Sequence, residues 1–163
     1  MRVISGKTMM DRNAPPGLCD TAESSARQSA AVLARWHGRG RAGYAITPRF
    51  AITSTPAQLE AAGALVRAHP ECWVQTHLSE NRAEIDMACA LYPEARDYTD
   101  IYDRYGLLTP RTLLGHCIHL SDRELSAIAG REAVAVFCPT SNLFLGSGLF
   151  DLARMRAAGV RVA

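Results

Sequence analysis

Cys72-Trp73-Val74-Gln75-Thr76-His77-Leu78-Ser79-Glu80 passes from a short β-rich run straight into a helix-starting signal. The run is too short for a buried helix, and its Val and Thr content suits a pleated strand. Five further runs share this character, and strands are predicted over residues 2–4, 43–47, 72–77, 112–116, 133–138 and 159–163. Helix signals fill the intervals. Asp20-Thr21-Ala22-Glu23 reads as an acidic cap with a glutamate behind it, followed by Ala22, Ala26, Ala30, Leu33 and Trp36 at helical spacing. Thr55-Pro56 opens a second helix with Pro at its first position, a buried line of Leu59, Ala62 and Val66, and an end near His69-Pro70. A third is expected after a Ser79 cap, with Ile85, Ala88 and Tyr92 on one face, and a fourth over about 98–105 before Gly106. Ser121-Asp122-Arg123-Glu124 caps a fifth that closes at Gly130, and a last helix is predicted over about 149–158.

Six strands alternating with helices imply an α/β domain with a parallel sheet, either doubly wound or barrel-shaped. No linker interrupts the alternation, so residues 1–163 read as one domain. A barrel takes eight strands and typically about 250 residues, so six strands in 163 residues read as a piece of a larger one. The composition, 48% hydrophobic and 21% charged, supports a core and excludes disorder and collagen. A formal charge of +2, with basic residues scattered, is no footprint for nucleic acid. The sequence has no apolar run near the roughly 20 residues of a membrane helix and no signal-peptide core at its start, and five cysteines without a C-x-x-C pair suit reduced thiols. The expectation is a cytoplasmic chain with no membrane or nucleic-acid partner.

In parallel α/β folds the functional groups sit where strands end, and two of the predicted strands end in histidine, at His77 and His116. Neutral imidazole suits zinc, and two strand-end histidines on one rim are half of a catalytic site; the alternative for each is a hydrogen-bonded structural ring. His37 and His69, near helix C-termini, read as dipole partners, and His119 as structural or as support to a ligand. Glu80, in the first turn after a Ser79 cap, either shuttles a proton beside a metal-activated water or interacts with the helix N-terminus. Arg49-Phe50 places a guanidinium fork beside a stacking face, a combination that suits a planar heterocycle bearing a carbonyl; the alternative is an exposed Arg beside a core Phe. Gly146-Ser147-Gly148 is a weak anion cradle without a P-loop lysine, and Cys138-Pro139-Thr140-Ser141-Asn142 brings hydroxyl and amide groups to the rim or forms a turn.

Taken in order, Gly6-Lys7-Thr8-Met9-Met10-Asp11-Arg12-Asn13, Thr47-Pro48-Arg49-Phe50, Gln75-Thr76-His77-Leu78-Ser79-Glu80-Asn81, Gly115-His116, His119-Leu120-Ser121-Asp122 and Cys138-Pro139-Thr140-Ser141-Asn142-Leu143 resemble the zinc-dependent amidohydrolases, and among them the guanine deaminase branch. The resemblance covers almost the whole chain. It implies a partial (β/α)8 TIM barrel, approximately strands 3 to 7 plus the start of strand 8. It implies one Zn2+ per complete active site, with iron as the alternative metal, held in part by His77 and His116. It makes Glu80 the catalytic proton shuttle and Arg49, Phe50 and His77 substrate-binding. The implied reaction is hydrolytic deamination of a small-molecule purine, guanine, to xanthine and ammonia by a zinc-activated hydroxide, in a full-length enzyme for which a homodimer is suggested. Phe137 stands where a histidine is expected before Cys-Pro, a position not counted among the ligands, while the paired His-x-His ligands of the family's first strand and its eighth-strand aspartate have no counterpart here. The chain alone is therefore expected to be inactive. The alternatives are a related enzyme acting on another purine, a pterin or a triazine, and a non-catalytic remnant.

Overall fold

Alternation along residues 73–78 buries Val74, Thr76 and Leu78 and leaves Trp73, Gln75 and His77 on the opposite, more open side. In the computed structural model, which describes residues 1–163, this run is one strand of a wholly parallel sheet. The strands are β1 (Val3–Ser5), β2 (Thr8–Met9), β3 (Ala42–Pro48), β4 (Trp73–Leu78), β5 (Thr112–His116), β6 (Val134–Val136) and β7 (Arg161–Val162). Their spatial order is β1-β3-β4-β5-β6-β7, with β2 pairing β3 as well. The order never reverses, as it must in a doubly wound sheet, so right-handed crossovers put every helix on the same face. This settles the choice left open above in favour of an arc of a (β/α)8 barrel.

β2 was not expected, because two residues carry no periodicity. Gly6 separates it from β1 at a close approach: a Cβ there would lie 1.7 Å from the carbonyl oxygen of Ala45. Only glycine lets the two short strands share β3 as a neighbour.

The helices are α1 (Ala22–Trp36), α2 (Pro56–Ala68), α3 (Arg82–Leu91), α4 (Tyr98–Arg104), α5 (Asp122–Gly130), α6 (Pro139–Phe144) and α7 (Leu152–Ala157). α2 and α5 start as predicted, capped by Thr55 and Ser121. α1 is capped by Thr21 rather than Asp20: Thr21 Oγ1 accepts from Ser24 N (3.0 Å), while Ser24 Oγ accepts from Thr21 N (2.9 Å). Asp20 is drawn instead to Lys7 and Ser25. α3 is capped by Asn81, not Ser79. The expected last helix is shortened to six residues, and α6 was not foreseen.

The helices bury their apolar faces on the outer side of the sheet. Ile46, Val74, Leu78 and Leu114 pack in one cluster with Leu59, Ala62, Ile101, Tyr102, Leu125 and Ile128. Each large aliphatic side chain buried this way contributes about 1.5–3 kcal/mol. The buried line of α1 is Ser25, Ser29 and Leu33, because the small serines let α1 approach α2 closely, and Ser25 Oγ meets the buried Gln58 amide at 3.0 Å.

α4 carries a buried carboxylate. Asp100 accepts from the backbone N–H of Arg96 (3.0 Å) and from its Nε (2.9 Å), and these hydrogen bonds hold its pKa below the ordinary 3.8. A lowered folded-state pKa adds stability that is complete above the unfolded value and is lost as pH falls through the folded one. Asp100→Asn should therefore remove part of the acid limb when the thermal midpoint is followed from neutral pH to below about pH 4. An acid limb identical to that of the parent would refute this contribution.

Candidate active site

The ends of β4 and β5 are clipped together by backbone hydrogen bonds. Leu78 O accepts from Cys117 N (2.9 Å), and Ser79 O accepts from both Ile118 N (3.0 Å) and His119 N (3.2 Å). Ser79, His116 and Cys117 all have left-handed backbones, with φ of 52°, 74° and 52°. Non-glycine residues hold this conformation only where surrounding contacts enforce it.

The strained turn decides where His116 goes. β4 and β5 pair in register, His77 beside Gly115 and Leu78 beside His116. A regular pleat would send His116 to the outer side with Leu78, away from His77. The backbone leaves the pleat at His116, and the two imidazoles come together with ring centroids 5.3 Å apart. Gly115 has no side chain to fill the space beside His77.

Each ring is oriented by one hydrogen bond. His77 Nδ1 lies 2.8 Å from Arg49 O, which can only accept, so Nδ1 carries the proton and Nε2 keeps its lone pair. Burial lowers the pKa of His77 and favours this neutral form. His116 Nδ1 lies 2.8 Å from Asn142 Oδ1, and its Nε2 faces Glu80 Oε2 at 3.6 Å. Two imidazoles with a carboxylate beside one are donor types that suit a zinc site.

Glu80 lies outside α3, contrary to the expectation of a first-turn position. Glu84 occupies the helix start instead, its Oε2 accepting from Glu80 N (2.8 Å) and Asn81 N (3.1 Å). The Glu80 carboxylate is free to turn toward His116, and Ser147 Oγ donates to its Oε1 (3.0 Å). Gly146-Ser147-Gly148 is thus no anion cradle at a helix start: α7 begins at Leu152, and the loop packs on Glu80 and on His119, whose Nε2 meets Ser147 O at 2.9 Å. In the sequence Ser147 reads only as part of that cradle, since a serine between glycines does not reveal a partner 67 residues away.

Arg49 and Phe50 lie at the same end. The guanidinium carbon is 4.4 Å from the Phe50 ring centroid, and that ring is 5.9 Å from His77. Residues 9–13 brace the turn: Arg49 N donates to Met9 O (3.2 Å), Thr55 N to Asp11 Oδ1 (2.7 Å), Arg12 Nη2 to Ala51 O (2.9 Å) and Asn13 Nδ2 to Ile52 O (3.0 Å). The buried Tyr102 hydroxyl joins this turn to β4, donating to His77 O (2.8 Å) and accepting from Ala51 N and Thr76 Oγ1, each at 3.0 Å. A cavity of about 240 Å3 opens beside the histidines, lined by Gln75, Leu113, Val136 and Cys138 among others.

A second cluster of metal-type donors, His37, Glu71 and Cys72, lies at the opposite end of the strands, with its ligand atoms within 4.8 Å of one another. His37 Nδ1 is already the acceptor for Tyr44 N (3.0 Å), and burial raises the Cys72 thiol pKa to about 11. His69, capping α2, pairs with Glu71 at 3.5 Å.

The sequence model of the Amidohydrolase family matches residues 1–163. The chain belongs to that family. This amidohydrolase chain is 49% identical to the guanine deaminase of Escherichia coli over 162 residues, 99% of this chain and 37% of that protein. The solved structure of E. coli guanine deaminase superposes with a TM-score of 0.98 at 49% identity, covering 100% of this chain and 38% of the other. Guanine deaminase from C. acetobutylicum, solved with guanine bound in its active site, gives a TM-score of 0.93 at 32% identity, covering 97% of this chain and 38% of that one. The chain thus spans a little over a third of the length of the relatives it matches. No helix is long and apolar enough to cross a membrane.

Tyr102→Phe keeps the ring but leaves the buried Ala51 N–H and the Thr76 hydroxyl without their common partner. The expected loss is about 1–3 kcal/mol of unfolding free energy, read from the urea midpoint at unchanged slope. A midpoint equal to the parent's would show that the phenol does not tie the two segments.

Proposed function

We propose that these residues act in the hydrolytic deamination of guanine, yielding xanthine and ammonia, in a protein that completes the metal site begun here. The observation that carries the reading is the meeting of two Nε2-presenting imidazoles, His77 and His116, with the Glu80 carboxylate and the Arg49–Phe50 pair at one end of the sheet. The high identity to guanine deaminases over nearly the whole chain supports guanine over a pterin or a triazine.

His77 and His116 would hold one Zn2+ through Nε2. When bound, zinc supplies Lewis acidity that makes water nucleophilic near neutral pH. The work of the remaining residues follows from their positions. Arg49 donates hydrogen bonds to the purine, and Phe50 packs on the ring face, which excludes water and fixes the plane of attack. Glu80 delivers a proton to the ring, the eighth-strand aspartate that has no counterpart in this chain would take the first proton from the attacking water, and the amino group leaves as ammonia with the attacking hydroxyl's remaining proton. His77, beside Phe50, also borders the substrate. A homodimer of the complete enzyme and a cytoplasmic setting belong to the same proposal.

Two histidines are at least one ligand short of a catalytic zinc site, and Glu80 cannot replace the missing ligands and still move protons. The purified, zinc-loaded 163-residue chain is therefore expected to form no xanthine or ammonia from guanine at an enzyme-like rate. Robust zinc-dependent turnover by this chain alone would overturn the ligand count.

In a longer protein that contains these residues and the remaining ligands, Glu80→Gln should keep its metal and lose most of its turnover. Arg49→Ala should also keep its metal but process guanine poorly. Metal content and xanthine formation measured on the same preparations decide both cases, and an Arg49→Ala enzyme as fast as the parent would remove Arg49 from the site.

A further inference from the structure

His77 takes its orientation from a backbone carbonyl, which can only accept, so its tautomer follows from the fold. His116 takes its orientation from a side chain, and that makes the partner's identity informative. Asn142 is 1% exposed, its Oδ1 lies 2.8 Å from His116 Nδ1, and its Nδ2 is buried without a partner. An amide buried at the cost of one unpaired N–H is tolerated where its other end has work to do.

The segment that carries Asn142 is firmly held. Pro139 opens α6, and Asn142 N donates to Cys138 O (2.9 Å). Ser147 N closes back on Asn142 O (2.9 Å), Ser147 O meets His119 Nε2, and Gly148 lies where a Cβ would approach Ile118 Cγ2 to 3.0 Å. The same segment supplies the Ser147 hydroxyl to Glu80 Oε1, which leaves Oε2 as the oxygen facing His116.

We propose that Asn142 is a positioning residue that holds His116 as the Nδ1–H tautomer, so that the Nε2 lone pair is the one presented to the site. The proposal rests on the metal role given to His116 above. With the amide turned over, Nδ2 would donate to Nδ1, the ring proton would move to Nε2, and the site-facing nitrogen would be blocked. A carbonyl or carboxylate behind a ligating imidazole fixes its tautomer and raises its basicity, and removing such a partner typically costs 10–100-fold in metal affinity.

The tautomer is read on the metal-free 163-residue chain in mildly alkaline buffer, from the imidazole 15N shifts of the resonance lost in His116→Ala. The parent should show a protonated Nδ1, and Asn142→Asp should keep it, while Asn142→Leu, of similar volume, should lose it. A parent with the proton on Nε2 overturns the proposal. Zinc affinity, measured by competition with a chromophoric chelator, then separates positioning from packing. Positioning predicts that Asn142→Asp stays within a few-fold of the parent and Asn142→Leu falls roughly 10–100-fold. Packing alone predicts the reverse order, since a buried carboxylate is tolerated worse than leucine, and that order would also overturn the proposal. Where two histidines alone bind zinc too weakly to measure, the tautomer result still decides the proposal, and the same affinity order is read in a longer protein that completes the site, where absent zinc binding would count against the proposed function instead.

Discussion

The carbonyl of Ser79 accepts two backbone N–H groups from the far side of the β5 turn, and the arrangement of the site depends on that junction. It holds three non-glycine residues in left-handed conformations, at a conformational cost of order 1–3 kcal/mol each. The surrounding ladder, five registered pairs between β4 and β5, offsets that cost. Without the departure from the pleat, His116 would turn toward the helices and share nothing with His77. The strain is therefore part of how two neighbouring strands aim two rings at one point.

Around this junction the polar groups form two supporting networks on opposite sides of the rings. On one side the Tyr102 hydroxyl, buried among α4, β4 and the turn after β3, ties the His77 backbone to the segment bearing Arg49 and Phe50. On the other, Asn142 and Ser147 reach His116 and Glu80 from α6 and its following loop. Burial strengthens both networks, because each hydrogen bond replaces solvation that the groups cannot regain. Residues 9–13 add a third layer, and they explain why Gly6-Lys7-Thr8-Met9-Met10-Asp11-Arg12-Asn13 accompanies Pro48-Arg49-Phe50: the Met9 carbonyl, Asp11 carboxylate, Arg12 guanidinium and Asn13 amide hold that turn in place.

Glu80 shows how capping chemistry redirects a catalytic candidate. Both Ser79 and Asn81 are good helix caps, but only Asn81 has a glutamate three residues on, Glu84, whereas Arg82 stands at that spacing from Ser79. The strand junction takes the Ser79 backbone, so Asn81 becomes the cap and Glu84 completes the capping box. Glu80 is then left without a helical role, its carboxylate between Ser147 and His116.

Much of this chain is legible before any coordinates. The strand-to-helix alternation, the starts of α2 and α5, and the delivery of His77, His116, Arg49 and Phe50 to strand ends follow from local periodicity, capping and turn chemistry. These are interactions between residues a few positions apart, and the sequence records them directly. Whether the sheet is wound once or twice, which face His116 takes, that two residues after Gly6 form a strand, and that Asn142 and Ser147 support His116 and Glu80 were decided only by tertiary structure. Those outcomes depend on strand order, on a left-handed backbone that no residue type announces, and on contacts between side chains 26 and 67 positions apart. Such contacts exist only after the sheet has brought the distant segments together.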